Sequence, residues 1–361
     1  MSDANELISF IASMSGEGNL RVEENLGEGY VRLRVSEAER RQAKHDIQHV
    51  EDIVIEMLRN ARDAGADKVY LATTKEDGVR TLVFLDNGSG VPQDMQERIF
   101  DARVTSKLES MKMDRWGVHG RGMALFSIKQ NTDEARVVTS DVDLGSVFKV
   151  SVATDRLGER ADQSSWPQAV KDEDGRYVCA RGPHNIIRAA CEFALEELRA
   201  CDVYLGSPSE IAATLHAQAS SRLDASRLLF IDDEAELPVV DRLGLASDAE
   251  DFIRICSGLG LEMSERTAQR ILAGQIKPVR GVTTRLLRER DSSSHAPVPV
   301  DLVKDRRGLR IAKDDMAQFS RAVERDFNDL AARYYLNLCG DPKIRVSRDR
   351  ITVTFDLAKE E

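Results

Sequence analysis

The segment Val50–Ala66, VEDIVIEMLRNARDAGA, constrains this chain more than any other stretch. Val50, Ile53, Val54, Met57, Leu58 and Ala61 recur at steps of three and four, the spacing of one apolar helix face. Glu56, Asn60 and Asp63 stand at i, i+4 and i+7 on the other side, so their side chains share one strip. Such a helix must lie on an apolar layer, and it offers two carboxylates and an amide to whatever faces it. Taken alone, the strip is also what an ordinary solvated helix face looks like. The residues downstream decide between the two.

Upstream, residues 1–14 read as a weakly amphipathic helix, and Tyr30–Val35 alternates like a strand. Ser36-Glu37-Ala38-Glu39 is a capping-box pattern, which predicts one long helix running to Ala64. His45 and His49 lie four apart on it without a third ligand, and read as a solvated pair rather than a metal face. Gly65 ends the helix, Val69–Ala72 begins a strand, and Asp77-Gly78 is a hairpin turn into a second strand, Thr81–Leu85. Asp86-Asn87-Gly88-Ser89-Gly90-Val91-Pro92 follows directly. An acidic residue at a strand end, with spaced glycines after it, lets the backbone turn tightly against a ligand. A helical piece (Gln93–Asp101) precedes Arg103-Val104-Thr105-Ser106-Lys107, a polar and basic stretch suited to phosphate. Gly117-Val118-His119-Gly120-Arg121-Gly122-Met123-Ala124-Leu125 then opens a helix through Ile128, and glycines before a helix leave its first N–H groups facing an anion. No Gly-Lys-Ser/Thr follows, so this is not a Walker A loop. A strand pair, Ala135–Thr139 and Ser146–Val152, closes the unit.

In this order the pieces resemble the GHKL ATPases, the superfamily of type II topoisomerases, 90-kDa heat-shock chaperones, sensor histidine kinases and MutL. The resemblance covers roughly residues 30–155. Glu56–Ala66 looks like the N-box and is closest to MutL, while Asp86–Val91 looks like the first glycine box. Thr105-Ser106-Lys107 is similar to the start of the ATP lid in MutL and topoisomerase VI, Gly117–Leu125 to the second glycine box, and Gly145-Ser146 to the late Gly-Thr. The implied fold is α+β, a two-layer α/β sandwich of the Bergerat type. The implied cofactors are ATP and Mg²⁺. By the family's mechanism Glu56 would be the general base for the attacking water. Asn60 would give an amide oxygen to Mg²⁺, and Asp86 would accept a hydrogen bond from the adenine amino group. Asp63 and Ser146 would support the adenine end, Gly88 and Gly90 would shape the turn beside it, and Gly117, Gly120, Gly122 and Lys107 would serve the phosphates. Two positions depart from the pattern: Arg121 stands where many relatives have a small or apolar residue, and Ser146 replaces the usual Thr. Glu56 favours hydrolysis over protein phosphorylation, because histidine kinases generally lack a water-activating Glu there. His45-Asp46 is not a phospho-acceptor, since it shares the N-box helix.

A length of 361 residues calls for two or three domains. The sequence divides into an ATP-binding domain at 1–155, a mostly helical extension at 156–245, a basic helix-turn-helix-like hairpin at 246–290 and a small α/β module at 296–361. The extension carries a polar, loop-rich 156–182, helices at Asn185–Cys201 and Ser209–Ser220, and an apolar strand at Leu228–Ile231. Ser247–Glu250 opens a helix to Cys256, and Ser264 caps another through Leu272, closed by Gly274. The run Leu261–Gly274 is similar to a recognition half of bacterial helix-turn-helix domains. Residues 266–313 hold 12 Lys and Arg against 4 Asp and Glu, in a chain of formal net charge −11. That patch reads either as a site for an anionic partner, DNA first, or as a structural hairpin with a solvated basic surface. The tail is expected to carry a strand at Leu309–Ala312, a helix at Met316–Leu336 and strands at Lys343–Val346 and Ile351–Phe355. Five cysteines without C-x-x-C spacing argue for a reducing compartment. No signal peptide or apolar run of membrane length is present, so a cytoplasmic location is expected. The functional expectation is a slow Mg²⁺-dependent ATPase acting as a nucleotide-driven dimerisation switch on a protein or DNA partner. The alternatives are a non-hydrolysing ATP-gated module and a DNA-binding regulator on a degenerate ATPase fold.

Overall fold

Strands β1 (Val22–Gly27) and β2 (Tyr30–Leu33) form an antiparallel pair at the start of the described chain. The computed structural model describes residues 22–106, 112–119, 122–160, 162–198, 200–223, 231, 233–287, 313–331, 336–340, 342–346 and 351–359, and the chain divides into two compact units after Ser292. The helix expected at 1–14, the strand expected at 309–312 and residues 228–230 of the strand expected at 228–231 lie outside these residues.

The single helix predicted from Ser36 to Ala64 is two. Helix α1 (Glu37–Asp46) has the expected capping box, with Ser36 and Glu39 bonding each other's backbone N–H groups. Helix α2 (Val50–Asp63) begins afresh after His49. The break has a side-chain cause: Asp52 Oδ2 accepts the backbone N–H groups of Gln48 and His49, each at 2.9 Å. A carboxylate in the first turn that reaches back to the cap region starts a helix rather than continuing one. At the other end Gly65 N donates to Arg62 O and Ala66 N to Ala61 O, which is a Schellman closure.

Strands β3 (Lys68–Glu76) and β4 (Val79–Asp86) form a regular hairpin. Its turn residues Asp77 and Gly78 both have positive φ, 49° and 80°, as a two-residue hairpin turn needs. The helical piece expected at 93–101 is two short 3₁₀ turns, 93–95 and 98–100. Strand β5 (Val104–Thr105) joins β2, and β6 (Lys112–Asp114) pairs with β7 (Gly117–His119). Helix α3 (Ala124–Asn131), β8 (Glu134–Ser140) and β9 (Ser146–Ala153) follow. The stretch 156–182, expected to be loop-rich, holds an antiparallel hairpin of β10 (Gln168–Lys171) and β11 (Tyr177–Arg181). Helix α4 (Ile186–Glu196) is capped by Asn185, and strand β12 (Asp202–Gly206) leads to α5 (Pro208–Arg222) under a Ser207–Glu210 capping box. Asp248 caps α6 (Ala249–Gly258) and Ser264 caps α7 (Glu265–Leu272).

The central sheet runs β12-β3-β4-β9-β8, antiparallel except for β12 alongside β3. Strand β12 was not expected from the sequence, yet it completes this sheet. Because side chains alternate across a strand, each strand feeds two cores. Leu71, Leu82, Phe84 and Val150 meet the apolar face of α2 and the buried side of α4. Tyr70, Val83, Leu85 and Val147 meet α5, α6 and α7 on the opposite face. Ile53, Val54 and Leu58 of α2 are fully buried, each contributing roughly 1.5–3 kcal/mol of hydrophobic stabilisation. The α/β sandwich expected from the sequence is present, and the helical extension adds a further layer over the second face of the sheet. The divisions expected at 155 and 245 therefore fall inside the first compact unit.

In the second unit, α8 (Lys313–Ala331) precedes β13 (Leu336–Leu338), β14 (Lys343–Val346), β15 (Ile351–Thr354) and β16 (Leu357–Lys359). β14 pairs with β15 and β13 with β16, and Phe327 stacks on Phe355 with ring centroids 4.1 Å apart. Leu336, expected at the end of the helix, opens a strand instead.

Candidate functional site

The polar strip of α2 lines a cleft of about 510 Å³ between that helix, the ends of β4 and β9, and the segments around β5 and α3. Glu56, Asn60 and Asp63 stand along one wall, Asp86 and Ser146 come from the sheet, and Gly90 and Gly122 come from the loops. Of the residues picked from the sequence, these seven converge. Gly88 sits behind them, its N 2.8 Å from Asp86 Oδ1, and a Cβ there would lie 2.8 Å from the carbonyl oxygen of Ala64 at the end of α2. Gly117 lies in β7, paired with Asp114, rather than in the turn leading into α3. Lys107 and Gly120 lie outside the described residues.

Asp86 is the last residue of β4 and is 3% exposed. Its Oδ1 accepts from Gly88 N, and its Oδ2 accepts from Ser146 Oγ at 2.8 Å. A carboxylate has lone pairs enough to take a further donor beside these bonds, and they fix its plane towards the cleft. The turn that carries Ser146 is built without room for a side chain. Gly145 has φ 76°, and a Cβ there would lie 2.1 Å from the Asp86 carbonyl oxygen. Gly90, at φ 69°, would place one 1.8 Å from the Asp141 carbonyl. Gly145→Ala is expected to destabilise the first unit by about 3 kcal/mol, combining a left-handed alanine with overpacking against backbone. A urea unfolding midpoint equal to that of the unsubstituted protein would contradict this.

The approach to α3 suits an anion in another way. Met123 is its N-cap and offers no side-chain oxygen to the first N–H groups of the helix. Arg103 lies beside it, held in the left-handed region at φ 62°, with its N–H bonded to the Gly122 carbonyl at 2.8 Å. Arg103 lines the cleft, and its side chain is buried and pairs with Glu39 of α1. The Ser36 backbone N–H, together with the Ser36 hydroxyl and Arg103, holds the Glu39 carboxyl below the usual carboxylate range despite partial burial. Helix α1 thus reaches the cleft, a role that no motif within it announces.

Two arginines of α2 join the site without having stood out in the sequence. Arg59, 3% exposed, donates from Nη1 to Glu56 Oε1 at 2.7 Å. Its Nε and Nη2 grip both oxygens of Asp114 in β6, at 2.9 and 3.0 Å. Arg62 bonds Asp63 at 3.0 Å, and Asp114 and Glu197 at 3.1 Å each. Burial disfavours the Arg62 cation, but Asp63, Glu197 and Asp114 outweigh it and raise its pKa. The one sequence signal was spacing, since Arg59 stands at i+3 from Glu56. Asp114 is 55 residues away and could only be found in the fold.

A family model described as histidine kinase-, DNA gyrase B- and HSP90-like ATPase matches residues 47–162. This segment is a GHKL ATPase domain. Similar curated proteins include the DNA mismatch repair protein MutL of Thermodesulfovibrio yellowstonii, 34% identical over 98 residues, or 26% of this chain and 18% of that protein. MutL of Pediococcus pentosaceus is 31% identical over 115 residues, 31% of this chain and 17% of that protein. MutL of Staphylococcus aureus is 28% identical over 136 residues, 35% of this chain and 20% of that protein. The chain therefore spans a fifth or less of the length of these relatives. The GHKL match takes in α2, the ends of β4 and β9 and the β6–β7 hairpin. Glu39, Gln42 and Asp46 of α1 line the same cleft from outside the matched segment. Among the described residues, no helix is long and apolar enough to cross a membrane, and no group of three His, Cys, Asp or Glu side chains is placed to hold a metal ion by itself.

Proposed function

We propose that this protein is a slow, Mg²⁺-dependent ATPase of the GHKL type, whose nucleotide state drives a conformational and dimerisation switch. The observation that carries this reading is the convergence of Glu56, Asn60 and Asp63 with the Asp86–Ser146 pair on one nucleotide-sized cleft. The Asp86 carboxylate accepts a hydrogen bond from the adenine amino group. Guanine presents a carbonyl oxygen at that place, so the same carboxylate repels it. The triphosphate lies towards Gly122 and the start of α3, where backbone N–H groups and Arg103 offset its charge. Glu56 takes the proton of the attacking water.

The donor set suits a hard cation. Asn60 offers an amide oxygen beside the carboxylates of Glu56 and Asp63, oxygen donors of the kind taken by an ion that keeps its waters and is shared with the substrate's phosphates. Asn60 would hold Mg²⁺, which when bound neutralises the phosphate charge that builds up in phosphoryl transfer. The test is a titration with ATP and GTP, each with and without Mg²⁺, followed by phosphate release and solution mass. ATP is expected to bind at micromolar to millimolar concentration, GTP not to bind, and mass to double with bound ATP. Failure of ATP to bind in any of these conditions would sink the reading.

A second reading, direct DNA binding, has its own observation. Helix α7 buries Ala268 and Ile271 while Arg266 and Arg270 are exposed, and Lys277 and Arg280 extend the basic surface beyond it. The MutL relatives are named as DNA mismatch repair proteins. Neutralising Arg266, Arg270 and Arg280 together is expected to weaken DNA binding at least about tenfold and to flatten its salt dependence, since each cation withdrawn from a phosphate lowers the counterion slope by about one. Equal affinity and slope in the triple variant would leave that surface as a solvated hairpin.

A further inference from the structure

The carboxylate read as the general base is held by a guanidinium that is itself held from another part of the chain. Arg59 donates to Glu56 through Nη1, while the Nε–Nη2 edge of the same group is clamped side-on by both oxygens of Asp114. A guanidinium is planar, so fixing one edge by a bidentate contact fixes the plane and the direction of its remaining nitrogen. The Arg59 and Asp114 side chains are 4% and 7% exposed, and Glu56, at the cleft, is 23% exposed. Asp114 in turn accepts from Arg62 Nη1 at 3.1 Å and from the Trp116 backbone N–H at 3.0 Å. The hairpin that carries it is anchored alongside. Trp116 stacks on Phe193 of α4 with centroids 6.4 Å apart, and Arg115 lies over the Trp116 ring and pairs with Glu192 at 3.4 Å.

We propose that Arg59 is a positioning residue for Glu56 and that Asp114 sets its position, so that docking of the β6–β7 hairpin on α2 and α4 and the aim of the Glu56 carboxylate are one coupled event. The proposal rests on the hydrolytic reading of Glu56. It adds that hydrolysis is licensed by the state of a hairpin standing between the basic stretch 103–106 and the turn into α3, rather than by the cleft alone. A lysine at 59 would neutralise Glu56 equally well but could not carry the geometry, because a single ammonium has no fork to clamp. Coupling of this kind is reciprocal, so whatever frees Glu56 must also loosen the hairpin.

Trp116 reports the hairpin directly, and Trp166 is the one other tryptophan in the chain. In the full-length chain with Trp166→Phe, the variants Asp114→Asn, Arg59→Lys and Glu56→Gln would be compared by Trp116 emission and acrylamide quenching, MgATP affinity and single-turnover hydrolysis. Asp114→Asn and Arg59→Lys are each expected to lower the hydrolysis rate more than tenfold with MgATP affinity within threefold. A residue needed only for folding would not split the two in that way. Asp114→Asn and Glu56→Gln are both expected to shift Trp116 emission to the red and raise its quenching. Retention of the rate in Asp114→Asn or Arg59→Lys overturns the proposal, as does an unchanged Trp116 signal in Glu56→Gln. The tryptophan arm needs no turnover. A protein that binds ATP without hydrolysing it would defeat the hydrolytic reading by itself, while Trp116 in Glu56→Gln still decides the coupling.

Discussion

Replacing Glu56 with alanine is expected to lower single-turnover ATP hydrolysis by at least about 100-fold, the lower end of what a positioned general base contributes, while leaving ATP affinity within a few-fold. The two effects separate because of where Glu56 stands. It lies on the exposed side of α2, 23% accessible, whereas the apolar residues that hold α2 on the sheet point the other way. Its removal leaves the apolar packing of α2 untouched. The adenine end, built from Asp86 and Ser146, is a separate wall of the cleft. Quench-flow measurement of phosphate release beside equilibrium binding of a fluorescent ATP analogue reads both quantities. An unchanged rate with unchanged binding would remove Glu56 from the chemistry and favour an ATP-gated binding module instead.

The α2 strip was legible because a helix imposes its own period. Once Val50, Ile53 and Val54 are assigned to the buried face, the direction of Glu56, Asn60 and Asp63 follows from local geometry. The β3–β4 hairpin was legible for the same reason, since the Asp77-Gly78 turn and the alternation around it lie within one short segment. What was not legible depended on contacts between distant residues. Strand β12 is five residues long and pairs in parallel with β3, so no hairpin turn beside it announces the pairing. The break between α1 and α2 turns on one carboxylate, Asp52, choosing backbone N–H groups behind it, and no Gly or Pro marks the place. The charge network was hidden more deeply. Arg59 and Arg62 look like helix-surface residues until the hairpin at 112–119 and α4 fold over them and bring Asp114 and Glu197 within bonding distance. Burying these charges costs desolvation that only mutual pairing offsets, and local sequence carries no trace of such pairing. Nor does anything local show that the helices after 155 close the second face of the same sheet.

The change with the largest expected effect on binding is Asp86→Asn, and the geometry explains why it should act on the ligand alone. Asparagine has the shape of aspartate and keeps an oxygen for the Gly88 N–H, while its amide nitrogen takes the place of Oδ2 opposite Ser146. The Ser146 hydroxyl can rotate from donor to acceptor, so the pair across β4 and β9 survives. Adenine has no such freedom. Its amino group is a fixed donor and would meet either an amide donor or a neutral oxygen in place of a carboxylate. Losing a charge-assisted bond in a buried setting costs about 1.5–3 kcal/mol, which is roughly a 10- to 150-fold rise in the dissociation constant, and an opposed donor adds to it. ATP affinity is therefore expected to fall about 100-fold or more with the thermal unfolding midpoint of the ligand-free protein nearly unchanged. The same variant should also lose its preference for ATP over GTP, because the carboxylate that repels the guanine carbonyl is gone. A variant that binds ATP normally and still excludes GTP would place the adenine elsewhere in the cleft, and Asp86 would then be a buried carboxylate that ties the loop at Gly88 to Ser146 and nothing more.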